Sequence, residues 1–274
     1  MSPTRFIAAA VQVCAGSDKT VNLTKAEAFI EEAAMAGASL VVLPEVFAWR
    51  GPREEEASIA ESIPGPISLR LAALAAKLRI HMVAGSILER NDQPRPYNSS
   101  LLFDAQGAML ACYRKLHLFD VDIRGHISVR ESDTRRPGNE VVVVETELGK
   151  IGLTICYDLR FPELYRRLTF SGAELVTIPA AFTFPTGAAH WEILVRARAI
   201  ENQIYVVAPD QIGHSPSGIV DFGSSLIVDP WGTPLARAAE REGVIFAEID
   251  REHQARIRRE LPCLGHVRLK PSAD

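Results

Sequence analysis

Ala38-Ser39-Leu40-Val41-Val42-Leu43-Pro44-Glu45 is the stretch on which the fold turns. Ala38 to Leu43 is short and almost wholly apolar, bounded by Gly37 and Pro44, which reads as a strand buried on both faces. Such strands belong to parallel sheets covered by helices, so a crossover should precede it. Asn22 to Met35 places Ala26, Phe29, Ile30, Ala33 and Ala34 on one helical stripe with Glu27, Glu31 and Glu32 off it, and Gly37 closes it. Arg5 to Val13 reads as the strand before that helix. A β-α-β unit therefore opens the chain and predicts an α/β fold.

Outward from this unit the alternation continues. A helix is expected from about Ile67 to Leu78 behind the breaker Pro64-Gly65-Pro66, then strands near His81 to Leu88, Ser99 to Phe103 and Ala108 to Tyr113, with Asp104 to Gly107 as a hairpin turn. Lys115 to Asn139 is polar and irregular, and a loop of that length inside a compact domain is usually functional. Strands Val141 to Glu145 and Ile151 to Ile155, a helix near Pro162 to Ser171 and strand Leu175 to Ile178 come next. Helix Ala188 to Glu201 and strand Tyr205 to Ala208 complete a second alternating block, with more strands at Ser225 to Val228 and Val244 to Ile249 and a turn at Asp229-Pro230-Trp231-Gly232. No linker, repeat or low-complexity segment divides the chain, so residues 1–274 are expected to form a single domain.

Composition narrows the function classes. The 274 residues are 47% hydrophobic and 23% charged with a net charge of −4, as in an ordinary globular protein. No basic run is present, which argues against nucleic acid as a partner. No apolar run approaches a membrane span. Phe6 to Ala15 is interrupted by Gln12 and followed by Asp18 and Lys19, which suits a core strand better than a signal peptide. Cys14, Cys112, Cys156 and Cys263 are too few and too scattered for a disulfide framework or a zinc site, so no metal is expected and reduced thiols in a cytoplasmic protein are.

In α/β sheets the ligand site lies beyond the carboxyl ends of the strands. Three such positions carry chemistry: Glu45 after Leu43-Pro44, Lys115 after Met109 to Arg114, and Cys156 after Ile151 to Ile155. Cys156 opens a strand-to-helix turn, Tyr157-Asp158-Leu159-Arg160-Phe161-Pro162-Glu163, placed as a nucleophile elbow is placed but without its G-x-S-x-G sequence. Taken singly each has an ordinary structural reading: a buried small thiol, a solvated or capping carboxylate, a surface lysine. The combination changes the odds.

Leu43-Pro44-Glu45, Tyr113-Arg114-Lys115-Leu116-His117-Leu118-Phe119 and Gly152 to Leu164 resemble the three signature blocks of the nitrilase, or carbon-nitrogen hydrolase, superfamily. Within it the chain is most similar to the amidase branch that includes omega-amidase and deaminated glutathione amidase, with Arg114 to Asp120 and His190-Trp191-Glu192 as the nearest matches. The resemblance implies a four-layer α-β-β-α sandwich, pairing of two such sandwiches through their helical faces as a homodimer or within a higher homo-oligomer, and no cofactor. It implies a catalytic Glu45, Lys115 and Cys156, and a second glutamate at Glu131 that orients the lysine or the substrate. Where many amidase-branch members carry a histidine this chain has Ser224, which leaves the substrate class open.

The expected chemistry is hydrolysis of a small linear amide, bearing a carboxylate, through a thioester on Cys156. Glu45 takes the thiol proton, and Lys115 and the Tyr157 N–H face the oxyanion. Arg160 fits either a surface charge at a helix start or a two-pronged donor to a substrate carboxylate. Thr183 and Thr186 fit either hydroxyl donors to substrate or turn residues. Nitrile or N-carbamoyl amino acid hydrolysis could use the same triad, although nitrilases commonly place Trp-Glu where Tyr157-Asp158 stands here. A catalytically silent scaffold is the alternative outside enzymes.

Overall fold

Why the strands are apolar on both sides is explained by two facing sheets, seen in a computed structural model that describes residues 3–125 and 127–269. The expected domain 1–274 thus includes residues 1–2, 126 and 270–274, which lie outside the described residues. β1 (Arg5–Gln12), α1 (Lys19–Met35) and β2 (Ala38–Val42) form the opening crossover, with β1 and β2 parallel. α1 begins at Lys19 rather than Asn22 because the Asp18 carboxylate caps it, accepting from the Thr20 and Val21 N–H groups. A one-turn helix α2 (Glu56–Ile59) and then α3 (Pro66–Leu78) lead to β3 (His81–Val83), β4 (Ile87–Glu89), β5 (Tyr97–Phe103) and β6 (Met109–Arg114).

Two expectations need correction in this half. His81 to Leu88 is two strands, because Gly85 between them adopts φ 46°, and a Cβ there would lie 2.0 Å from the Pro44 carbonyl oxygen. The chain bends where it passes Leu43-Pro44. Lys115 to Asn139 is not irregular throughout: β7 (Asp120–Ile123) pairs antiparallel with β8 (Ile127–Arg130). This ribbon stands off the main sheets, and its polar half masked a short alternating pattern.

The second half runs through β9 (Val143–Thr146), β10 (Gly149–Leu153), α4 (Pro162–Phe170), β11 (Leu175–Thr177), α5 (Phe184–Asn202) and β12 (Tyr205–Ala208). α5 starts at Phe184, four residues before the expected Ala188, with Pro185 in its first turn. It ends through β13 (Ile212–His214), β14 (Val220–Phe222), β15 (Leu226–Val228), β16 (Pro234–Arg237), β17 (Gly243–Asp250) and α6 (Arg251–Glu260). β13, β14, β16 and α6 were not anticipated, being three- or four-residue strands and a strongly charged helix.

The first sheet is ordered β17-β1-β2-β3-β5-β4, with β6 on β5, and the second β16-β15-β12-β11-β10-β9. Alternate side chains of the first sheet divide between two cores. Ala8, Ala10, Leu40 and Val42 pack into the core that holds Leu153, Val176 and Val206 of the second sheet. Ala9, Val11, Val41 and Leu43 pack with Ile30 of α1 and Leu71 of α3. On the far side of the second sheet Leu164 and Leu168 of α4 and Val195 and Ala199 of α5 pack against it as part of the same continuous cluster. The result is the four-layer α-β-β-α sandwich, held by burial worth roughly 1.5 to 3 kcal/mol for each large aliphatic side chain. Among the described residues no helix is long and apolar enough to cross a membrane.

Candidate active site

Glu45, Lys115 and Cys156 leave three strand ends in two different sheets and meet at one cavity. Glu45 is 4% exposed and its carboxylate is held from three sides. Oε1 accepts from Lys115 Nζ and from Asn98 Nδ2, each at 2.8 Å, and Oε2 accepts from the Ala181 N–H at 3.0 Å. Lys115, 1% exposed, donates on its other side to Glu131 Oε2 at 2.9 Å and Oε1 at 3.2 Å. Glu131 in turn accepts from the Phe119 N–H at 2.7 Å and from Arg135 Nη1. Arg135 grips Glu56 through two hydrogen bonds, at 2.7 and 3.0 Å.

These neighbours fix the charge states. Burial alone would push the Lys115 ammonium down, but the carboxylates of Glu131 and Glu45 outweigh it and raise its pKa above the ordinary lysine value. Burial would likewise raise Glu131, yet Lys115 and Arg135 lower it from 4.5 to about 2. These carboxylates favour the charged form of Lys115, which donates to both of them. The Cys156 thiol goes the opposite way: burial first, and then the Glu45 charge, raise it well above its ordinary value against the weaker pull of Lys115. At rest the protonated thiol is the favoured form, and it shares the cavity wall with the Glu45 carboxylate.

Local backbone strain marks the same place. Cys156 adopts φ 48° and Val46, directly after Glu45, adopts φ 46°, conformations that cost L residues energy and that a β-branched side chain rarely takes. Cys156 is held there by Asp158, which is fully buried. Its Oδ2 accepts from the Ile155 N–H at 2.9 Å and from the Tyr113 hydroxyl at 2.6 Å, while Oδ1 accepts from the His117 N–H at 3.1 Å and lies 2.7 Å from His117 Nδ1. One carboxylate thus ties the cysteine turn to both sides of Lys115. His117 also stacks on the Phe161 ring, with centroids 3.7 Å apart.

The cavity opens to solvent, and with its mouth included encloses about 720 Å³ of space unfilled by atoms. Tyr157, Thr183 and Thr186 line it, with the two threonine hydroxyls 2.9 Å apart at the start of α5. Arg160 is not among its lining residues. It lies one layer back, 5.1 Å from the Phe182 ring centroid and 5.8 Å from that of Tyr157, with Nη1 3.4 Å from His190 Nδ1. Ser224 is also off the wall, its hydroxyl accepting from Arg237 at 3.2 Å.

Sequence reasoning missed Asn98, Arg135, Glu56, Arg50 and Arg53. The first looks like an ordinary strand residue, and Glu56 ends an acidic run, Glu54-Glu55-Glu56, that reads as a solvated face. A four-residue spacing between Glu131 and Arg135 was the one available signal. Among the described residues no group of three or more His, Cys, Asp or Glu side chains is arranged to hold a metal ion.

Comparison with known proteins gives the site its context. Residues 7–259 match the carbon-nitrogen hydrolase family. The chain is 39% identical over 265 residues to Omega-amidase NIT2 of Homo sapiens, covering 97% of this chain and 96% of that protein. Its structure resembles the NitFhit protein of C. elegans with a TM-score of 0.92 at 36% identity, over 100% of this chain and 69% of that one. It also resembles Nit3 of Saccharomyces cerevisiae, a member of branch 10 of the nitrilase superfamily, with a TM-score of 0.86 at 35% identity over 95% and 96% of the two chains.

Proposed function

The chain belongs to the carbon-nitrogen hydrolase family and is an enzyme of amide hydrolysis, and from that premise we propose a thiol-dependent amidase that opens a small linear, carboxylate-bearing amide through a thioester on Cys156. The observation that carries this reading is the buried Glu45-Lys115-Glu131 network beside a protonated Cys156 at the foot of an open cavity. Residues 1–274 act as one hydrolase domain on this reading.

The steps follow from the charge states. Glu45 accepts the Cys156 proton as sulfur bonds to the amide carbon, and the carbonyl π electrons become an oxyanion. Lys115, locked as a cation, and the Tyr157 N–H stabilise that oxyanion; a single preorganised donor of this kind is worth about 10²- to 10³-fold in rate. Glu45 then returns the proton to nitrogen, the C–N bond breaks and ammonia leaves. Water attacks the thioester with Glu45 again taking a proton, and the carboxylate product departs as the sulfur recovers its hydrogen. Glu131 orients Lys115 throughout, and Thr183 and Thr186 present hydroxyls to the substrate.

Assembly and compartment complete the proposal. A homodimer is supported by exposed apolar residues on the outer helical face, Phe170 of α4 and Ile193 and Ile200 of α5. A cytoplasmic setting is supported by the four cysteines, all free thiols in the fold.

The test is ammonia release from a panel of omega-amides, deaminated glutathione-like amides, nitriles and N-carbamoyl amino acids. Cys156→Ala should lose at least about 10³-fold of the amide activity. Intact-mass measurement of rapidly quenched parent enzyme should show the acyl increment on Cys156. Undiminished turnover by Cys156→Ala, or acylation of Cys14 or Cys263 instead, would remove the nucleophile assignment.

A further inference from the structure

Asp210 is a buried acid that the chemistry of the thiol does not use. It follows β12 and Pro209, has no exposed surface, and its Oδ1 accepts from the Phe182 N–H at 2.8 Å. Phe182 belongs to the segment 179–183, which ties the reacting groups together. The Pro179 carbonyl accepts from the Cys156 N–H at 2.9 Å, and the Ala180 carbonyl from the Glu45 N–H at 3.3 Å and the Gln211 N–H at 3.0 Å. The Ala181 N–H holds Glu45 Oε2 at 3.0 Å. One residue on, the Phe182 N–H goes to Asp210, and Thr183 then lines the cavity. Two successive N–H groups are thus gripped by two carboxyl groups, Glu45 in the cavity wall and Asp210 outside it.

The surroundings of Asp210 decide its charge. Its Oδ2 is enclosed and, among the described residues, has no hydrogen-bond partner, and a bare buried oxygen is far costlier ionised than protonated. The charged groups that face it are Asp221 of β14, Arg50 and Glu45. The one guanidinium among them is engaged: Arg50 Nη1 lies 2.9 Å from Asp221 Oδ2, in a pair that is itself buried. An ionised Asp210 would be left uncompensated beside two other carboxylates. Burial first, and then Asp221 and Glu45, raise its pKa well above the usual carboxylate value, against the Phe182 N–H and Arg50. Asp221 is raised by burial to about 6, with Arg50 opposing. At neutral pH the charge therefore sits on Asp221 and the proton on Asp210.

We propose that Asp210 is a positioning residue for Glu45: as a neutral acid it accepts the Phe182 N–H through one oxygen and so keeps the adjoining Ala181 N–H on the base. Neutrality matters as much as the hydrogen bond. A full charge on Asp210 would stand against the Glu45 carboxylate and favour its protonated form, which cannot take the thiol proton. The assignment rests on the amidase reading and deepens it.

Two variants separate the acceptor from the charge. Asp210→Ala removes the acceptor, whereas Asp210→Asn keeps an oxygen for the Phe182 N–H and never ionises. On the amide that the parent turns over fastest, Asp210→Ala should lower kcat about 30-fold with KM within about threefold, and Asp210→Asn should restore kcat to within about threefold of the parent. Hydrogen-exchange mass spectrometry reads the segment without turnover: the Ala181 and Phe182 amides should exchange at least about tenfold faster in Asp210→Ala than in the parent. Parental kcat or parental exchange in Asp210→Ala, or an Asp210→Asn no better than Asp210→Ala, would overturn the assignment. The charge state is read from Asp210→Asn alone, so it survives a failure of the alanine variant to fold. An acid that keeps its proton only when folded weakens the folding equilibrium by about tenfold per pH unit above its unfolded pKa near 4. The Tm of Asp210→Asn relative to the parent should therefore climb between about pH 5 and pH 7; a gap that stays level or falls would mean a charged Asp210 and overturn the neutral acid. If the parent released no ammonia from any amide, the amidase reading would fail, while exchange and Tm still decided whether Asp210 holds the segment as a neutral acid.

Discussion

Lys115 has 1% of its surface exposed and a carboxylate on either side, and that placement decides which proton moves. A lysine acting as base must shed its proton near neutrality, whereas these neighbours hold the ammonium charged. On the proposed mechanism the proton from sulfur is then left with Glu45 as its destination. Because the folded-state thiol pKa is raised, the thiolate population keeps growing with pH beyond the ordinary cysteine range. Iodoacetamide labelling of Cys156 in the free enzyme should climb about tenfold per pH unit between roughly pH 7 and 9 without a plateau. A plateau near pH 7, read by mass spectrometry, would mean a resting thiolate and would reverse the order of proton transfer. The strand-end argument led to Glu45, Lys115 and Cys156, which the structure brings together. It could not lead to Arg135 or Asn98, because each matters through a partner distant in sequence: Arg135 through Glu56 and Asn98 through Glu45.

At the scale of elements, the turn after β10 and the exit from β6 are one mechanical unit joined by Asp158. Asp158→Ala would strand the Tyr113 hydroxyl and the Ile155 and His117 N–H groups, at a cost of roughly 2 to 3 kcal/mol in stability. Its effect on catalysis should be larger than on binding, since Lys115 and Cys156 lose their common anchor. We expect kcat to fall about 100-fold with KM within about threefold, in a protein whose far-ultraviolet circular dichroism is retained. A variant that lost only stability, with parental kcat at low temperature, would show that the turn holds its shape without the carboxylate. Long apolar strands and the helices between them were legible because their patterns recur over many residues. The hairpin β7–β8 and the strands β13, β14 and β16 were not, because each has only three or four residues and is defined by its partner. Helix ends shifted where a cap or a proline, at Asp18 and Pro185, decided the start.

For the whole molecule, the outer helical layer remains incompletely covered. Ile193 is 69% exposed and Ile200 49%, seven positions apart on one face of α5, with Phe170 of α4 at 41%. Exposed residues spaced this way make a stripe that a second copy can bury. On the proposed homodimer, Ile193→Asp combined with Ile200→Asp should yield monomer in light scattering where the parent protein has the mass of two chains; a parent mass of one chain, or a variant mass equal to a dimeric parent's, would remove this stripe as the interface. The two sheets also make the reaction centre a property of the entire tertiary structure, as Glu45 and Lys115 come from one and Cys156 from the other. A further consequence lies in the chain's direction of growth. β1 is flanked by β2 on one edge and, on the other, by β17, which is synthesised long after it. Until residues 243–250 emerge from the ribosome, Ala8 to Val11 offer a bare, apolar hydrogen-bonding edge. The pairing of residues 5–12 thus waits on the synthesis of residues 243–250, making chains stalled between those points the species most in need of chaperone cover.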